Sequence, residues 1–349
     1  MVKKVLFARF VDNPISQSQL KKLRAAAGSG PVLVLTHDNP DPDSLASGKA
    51  LAYILNETWE LQSRLVYSGL VARAENQAML NILAPEWEHL ENLSNLTDYS
   101  AIALVDTQPG AGNNRLPEHH MPDIVIDHHH PIREGLDSVS YIDMRPDVGA
   151  TVSLLYQHLE AAELWPDSDL ATAMFYGIQT DTQGLSRGAS ELDQWVYFDL
   201  LGLLDREKLI QVERAGLSRD YFRAFSVGLQ TARIFDHTIV VDMEKIHRPD
   251  FVAEIADLLI RLKKAQAVLC MGHHNQTLFF SLRTELSGFD AGLLVQEIIF
   301  KPGKGGGHGT MAGGQVRLVG PEYSRIANQI ISRFLTVMDE SGEGEPLLN

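Results

Sequence analysis

Short apolar runs alternate with longer amphipathic stretches from the start of the chain to about residue 200. Pro31-Val-Leu-Val-Leu35, Leu65-Val-Tyr67, Ala101-Ile-Ala-Leu-Val105 and Ile124-Val-Ile126 are runs of the buried-strand kind. Gln17–Ala27, closed by Gly28-Ser-Gly30, together with Ser44–Leu55, Gln77–Leu83, Thr151–Leu164 and Leu170–Ile178, carry helix periodicity. Strands alternating with helices predict an α/β domain on a parallel sheet covered on both faces. Leu200–Thr231 is helix-rich and amphipathic and reads as a bridge. Beyond it the pattern changes. Thr238–Val241, Ala267–Cys270, Thr277–Leu282 and Gln315–Leu318 read as strands, and Phe251–Lys264 and Ala291–Phe300 as helices. Gly272-His-His-Asn-Gln276 reads as a hairpin turn. The expected plan is an α/β domain over 1–200, a helical linker over 201–231, a smaller α+β domain over 232–335 and a frayed tail over 336–349.

Composition narrows the partners. The chain has 349 residues, 44% of them hydrophobic, enough for sizeable cores. Its formal charge is −15, which disfavours a surface that tracks long nucleic acid by phosphate neutralisation. A small anionic substrate stays compatible if metal ions or local basic residues supply the attraction. The single cysteine, Cys270, excludes an intramolecular disulfide, argues for a reducing, cytoplasmic setting and is expected in a strand core. No apolar run approaches the ~20 residues of a membrane span. Met1–Pro14 has no continuous apolar core of the secretory-signal kind.

Ligand-type residues recur where the apolar runs end. The first cluster is Thr36-His37-Asp38-Asn39-Pro40-Asp41-Pro42-Asp43-Ser44. Its two prolines argue against an unbroken helix there, so His37, Asp41 and Asp43 can converge from a stiff loop. The same stretch also reads as a solvated turn, with Asp43 or Ser44 capping the next helix. Asp106 directly follows Val105, Asp127-His-His-His130 follows Ile126, and Thr180-Asp181-Thr182 follows the helix-like 170–178. Singly, Asp106 and Asp181 read as turn or cap residues. Together, two histidines and four aspartates are enough for two divalent ions sharing a carboxylate. Mixed carboxylate and imidazole suits Mn²⁺, then Fe²⁺, Co²⁺ or Zn²⁺. Paired ions are the usual device for splitting phosphate esters. Lys301–Gly314 is glycine-rich around His308 and reads as an anion nest or as a linker. No Gly-Lys-Ser/Thr follows, which excludes a triphosphate-binding P-loop. Arg283 lies inside a strand and reads either as an exposed charge or as an anion contact.

These motifs resemble the DHH phosphoesterases. His37–Ser44, Asp106, Asp127-His-His129, Thr180-Asp-Thr182 and Gly305-Gly-Gly-His-Gly-Thr-Met-Ala-Gly-Gly314 stand in the family's order, over about residues 30–320. The resemblance implies an α/β DHH domain, a DHH-associated C-terminal domain and an active site in the cleft between them. It implies that one cation takes His37, Asp41 and Asp106, and the other takes Asp43, Asp106, His128 and Asp181. Asp127 would orient the histidines that follow it, and His129 would contact the scissile phosphate. Arg283, Gly306, Gly307 and His308 would bind substrate. Two stretches depart from the pattern: Ala312 lies four residues after His308, with Met311 in its usual place, and Thr182 is followed by Gln183-Gly-Leu-Ser-Arg187.

The expectation is therefore a two-metal, Mn²⁺-dependent phosphoesterase acting on short oligonucleotides or nucleoside 3′,5′-bisphosphates. It most resembles the oligoribonucleases that also act on 3′-phosphoadenosine 5′-phosphate. Polyphosphate or pyrophosphate hydrolysis, cyclic-dinucleotide cleavage and a non-hydrolysing nucleotide-binding regulator are the alternatives. No long nucleic acid or membrane partner is expected, and a homodimer is expected by analogy.

Overall fold

Alternate residues of the short apolar runs face opposite sides of one sheet. In β1 (Val32–Leu35), Val32 and Val34 join one core while Leu33 and Leu35 join the other. In β4 (Ala101–Val105), Ala101, Ala103 and Val105 go one way, and Ile102 and Leu104 the other. Strands buried on both faces read as unbroken apolar runs, which is why the sequence reveals them. The computed structural model describes residues 14–90, 95–286 and 288–348. They divide into two units at Ala215/Gly216.

The first unit holds a six-stranded parallel sheet, ordered β3-β2-β1-β4-β5-β6. The remaining strands are β2 (Ser63–Tyr67), β3 (Glu88–His89), β5 (Ile124–Asp127) and β6 (Tyr141–Met144). One face is covered by α1 (Gln17–Ala27), α2 (Pro42–Trp59), α3 (Ala74–Ile82), α4 (Thr151–Ala161), α5 (Ser168–Asp181), α6 (Glu191–Leu200) and α7 (Arg206–Glu213). The opposite core instead takes Leu136 and Val139 from an irregular connection. The glycines, prolines and asparagines of 109–117 and 131–135 explain why no α-helix forms there.

Strand order reverses between β1 and β4, because β1 leads to β2 and β3 on one flank while β4 returns to the other. In open parallel sheets ligands bind at such a switch, beyond the carboxyl ends of the strands.

The second unit holds a seven-stranded sheet, ordered β11-β12-β10-β9-β8-β7-β13. Its elements are α8 (Arg219–Thr231), β7 (Arg233–Phe235), β8 (Thr238–Lys245), α9 (Phe251–Leu259), β9 (Ala267–His274), β10 (Thr277–Thr284), α10 (Ala291–Ile298), β11 (Lys304–His308), β12 (Met311–Arg317), α11 (Tyr323–Val337) and β13 (Glu345–Pro346). Among the described residues of this sheet only β8 and β9 pair in parallel. Helices α10 and α11 pack on one face, α8 and α9 on the other. Cys270 is buried in the core under α9.

Three local expectations change. The stretch read as one linker divides, since α7 packs in the first unit's core and Tyr221, Phe225 and Leu229 of α8 in the second's. The tail does not simply fray: Glu345 and Pro346 pair with β7, and Leu347 donates its N–H to Ala232. The glycine-rich segment, read as an anion nest or a linker, pairs as a β-hairpin. Among the described residues no helix is long and apolar enough to cross a membrane.

Candidate metal centre

The switch point gathers the ligand-type residues. His37 follows β1, and Asp41 caps α2 by accepting from the Ser44 N–H at 3.0 Å, while Ser44 Oγ accepts from the Asp41 N–H. Pro42 takes the first helical position, where its missing N–H costs nothing. The helix therefore starts at the second proline, and Asp43 sits in its first turn rather than in a stiff loop. Asp106 follows β4 with φ 59°, a left-handed conformation that aspartate tolerates. His128 follows β5. Asp181 is the last residue of α5, which runs three residues beyond the stretch read from sequence.

Three overlapping groups result: His37, Asp41 and Asp106; Asp43, His128 and Asp181; and Asp106, His128 and His129. Within each, one donor atom per residue lies within 4.8 Å of the others. His37 Nε2 stands 3.6 Å from Asp41 Oδ2 and 3.4 Å from Asp106 Oδ2. His128 Nε2 stands 3.6 Å from Asp106 Oδ1, 3.5 Å from Asp181 Oδ2 and 4.0 Å from Asp43 Oδ2. These spacings exceed the ~2.7–2.9 Å of charge-assisted hydrogen bonds. They suit donor atoms arranged around a common cation with bonds of about 2.1 Å.

Backbone carbonyls aim two of the imidazoles. His37 Nδ1 meets the Asp38 carbonyl and His128 Nδ1 the Val148 carbonyl, each at 3.0 Å. A carbonyl only accepts, so each Nδ1 carries a proton and each Nε2 is the ring atom turned to the cluster. Asp127 does not orient both of the following histidines. Its Oδ1 accepts from His129 Nδ1 at 2.8 Å and from the His129 N–H at 3.3 Å, whereas the Val148 carbonyl aims His128.

The start of α4 fixes two carboxylates. Asp43 Oδ2 accepts from the Thr151 N–H at 2.6 Å, and Oδ1 from the Val152 N–H at 2.8 Å. Thr151 Oγ1 donates to Asp106 Oδ1 at 2.8 Å. No ligand-type motif marks Thr151 in the sequence. Its signal was indirect: α4 starts after Gly149-Ala150, which offers no side chain to cap it, so the cap comes from elsewhere in the fold.

Electrostatic crowding marks the cluster. Burial first, then Asp106 and Asp41, pushes Asp43 well above the usual carboxylate range. Burial and the charges of Asp41, Asp43 and Asp106 do the same to Asp181. Burial pulls His37 down, but Asp41 and Asp106 outweigh it and raise it well above its ordinary value. Burial likewise opposes His129, and Asp127 and Asp106 lift it to about 9. Asp106 Oδ2 and His128 Nε2 are buried with no hydrogen-bond partner among the described residues. Orphaned acceptors among crowded carboxylates fit a cation, which would satisfy them and offset the repulsion.

In the second unit, Arg283 is tied into its own domain. Its Nε donates to Asp257, and its Nη1 to Ser281 Oγ at 2.7 Å and to the Leu282 carbonyl at 3.0 Å. It is 8% exposed, not a free strand charge. Gly306 and Gly307 lie in β11 opposite Gly313 and Ala312, and His308 faces Met311. The His308 side chain lies outside the described set. The hairpin backs onto α10 so closely that a Cβ at Gly292 would lie 2.0 Å from the Gly307 carbonyl oxygen.

Comparison with known proteins agrees with this layout. The uncharacterized protein MJ1633 of Methanocaldococcus jannaschii is 34% identical over 291 residues, 82% of this chain. The chain spans 58% of that relative's length. The crystal structure of an exopolyphosphatase-related protein from Bacteroides fragilis shares the fold at TM-score 0.74 and 14% identity, over 95% of this chain and 100% of that one. Residues 31–178 match the model of the DHH family, N-terminal domain, and residues 236–337 that of the DHHA1 domain. The chain therefore carries a DHH-family N-terminal domain over residues 31–178 and a DHHA1 domain over residues 236–337.

Proposed function

We propose that the chain is a metal-dependent phosphoesterase that hydrolyses short oligonucleotides or nucleoside 3′,5′-bisphosphates with two divalent cations, Mn²⁺ by preference. The observation that carries this reading is the pair of triads, one containing Asp106 and the other set against it through His128, with Asp106 Oδ2 and His128 Nε2 buried and without a hydrogen bond among the described residues. His37, Asp41 and Asp106 would hold one cation; Asp43, His128 and Asp181, with Asp106 as the shared carboxylate, would hold the other. The mixed carboxylate and imidazole set suits Mn²⁺. Bound there, two cations supply Lewis acidity and charge compensation for a phosphoryl group.

The chain's own groups do the rest. Asp127 holds His129 beside the cluster, where its imidazole can donate to a phosphoryl oxygen. Thr151 and the first amides of α4 keep Asp106 and Asp43 in place as charge changes during the reaction. In the second unit, Arg283, Gly306, Gly307 and His308 are the proposed substrate contacts, with Asp257 orienting Arg283.

A Mn²⁺-supplemented hydrolysis panel tests the reading. It compares a diribonucleotide, a 3′,5′-bisphosphate, a cyclic dinucleotide, pyrophosphate and short polyphosphate, with Asp106→Ala as control. Nucleotide cleavage that vanishes in the variant is the expected result. Phosphate release from the inorganic chains alone would replace the substrate class. Tight nucleotide binding without turnover would make the protein a regulator instead.

A further inference from the structure

Gln108 lies two residues beyond Asp106, is 2% exposed, and is not a metal-ligand type. Its amide nonetheless ties together the segment that carries the histidines. Oε1 accepts from the Arg133 N–H at 2.7 Å. Nε2 donates to Asp127 Oδ2 at 3.2 Å, and faces the carbonyls of His129 at 3.4 Å and Pro131 at 3.3 Å. Asp127 is fully buried, so a carboxylate oxygen without a donor there would be costly. With Oδ2 held by Gln108, Oδ1 is left for His129.

His129 has a competing partner. Its Nδ1 is 2.8 Å from Asp127 Oδ1 and 3.6 Å from Asp106 Oδ1. A small turn of the Asp127 carboxylate would release the ring toward Asp106, the residue shared by two of the ligand groups. An imidazole paired with Asp106 would compete with a cation for that carboxylate.

We propose that Gln108 is a positioning residue: by fixing the Asp127 carboxylate it keeps His129 off Asp106 and leaves Asp106 to the metal. The inference rests on the reading of Asp106 as a ligand. Gln108→Met keeps the volume and loses the amide. Gln108→Glu keeps an acceptor for the Arg133 N–H and loses the donor to Asp127, and serves if the first variant does not fold.

The test is a double-mutant cycle on the full chain, read as Mn²⁺ affinity by calorimetry. Gln108→Met should weaken binding about 10-fold or more, as the loss of groups that orient metal ligands does. In a His129→Ala background the same substitution should change affinity by less than about two-fold, because the competing ring is gone. Equal losses in both backgrounds would overturn the proposal, since Gln108 would then act only as a scaffold for the loop. No loss in either background would also overturn it. Should the wild-type chain take up no Mn²⁺, the metal reading itself fails, and crystal structures of the variants decide about Gln108. His129 remaining on Asp127 would then overturn the inference, and His129 displaced onto Asp106 would support it.

Discussion

Thr151 donates its hydroxyl to Asp106 at 2.8 Å, across a sequence separation that hides the relation. The bond occupies Oδ1 and leaves the buried Oδ2 without a hydrogen bond among the described residues, 3.4 Å from His37 Nε2. A helix start thus sets the orientation of the carboxylate that both proposed cation sites share.

Thr151→Val should therefore weaken Mn²⁺ binding by about 10-fold while leaving the fold intact. Thr151→Ser keeps the hydroxyl and should recover most of the affinity. Calorimetric titration of the three proteins checks this; equal affinity in all three would remove Thr151 from the site.

Metal release should track acid. Burial and mutual repulsion hold Asp43 and Asp181 well above the usual carboxylate range in the metal-free protein. Both must give up protons for a cation to bind, so affinity should rise with pH and fall as acid restores those protons. Titrations between about pH 8 and pH 6, in buffers of different ionisation enthalpy, should show weaker binding at the acid end and net proton release on binding. Affinity independent of pH would contradict this.

His158 should give the fold its own acid sensitivity, apart from the metal. The ring is fully buried, with Nδ1 at 2.8 Å from the Leu154 carbonyl and Nε2 at 2.6 Å from the Tyr141 hydroxyl. Burial holds its pKa below the ordinary 6.5. The unfolded chain then takes up a proton that the folded chain refuses. Stability from this group is complete above that ordinary value and declines as pH falls toward the depressed one. The urea midpoint of wild type should fall over that interval more than that of His158→Gln. Parallel curves would show that His158 does not titrate differently on folding.

Gly149 is a further point of leverage. Its N–H donates to Asp193 Oδ2 at 2.7 Å, and a Cβ there would lie 2.7 Å from the Gly188 carbonyl oxygen. Asp193 also accepts from the Ser190 N–H, Ser190 Oγ and Ser153 Oγ, so the segment leading into α4 has little room to shift. Gly149→Ala should cost about 1–3 kcal/mol of stability as overpacking does. It should also lower Mn²⁺ affinity, because Thr151 sits at the start of the same helix. Denaturant titration and calorimetry together read both effects.

Much of this was legible in the sequence because parallel strands buried on both faces read as unbroken apolar runs, with the ligands at their ends. His37, Asp106 and His128 could be placed that way. Asp181 could be named but not located, since its helix runs on through polar residues to its last turn. Edge strands such as β3, β6 and β13 escaped notice, being two to four residues long and lacking a continuous apolar run. The glycine-rich hairpin escaped for a different reason: its pairing depends on a close approach to α10, which only tertiary structure provides. Thr151 and Gln108 act through hydrogen bonds that no spacing rule foretells.

Diffraction from crystals of the protein grown with Mn²⁺, recorded for the metal's anomalous signal, tests the central claim most directly. Two peaks are predicted, one among His37, Asp41 and Asp106 and one among Asp43, His128 and Asp181, with Asp106 touching both. A single peak, or density that leaves Asp106 Oδ2 and His128 Nε2 without a metal contact, would contradict the two-cation site.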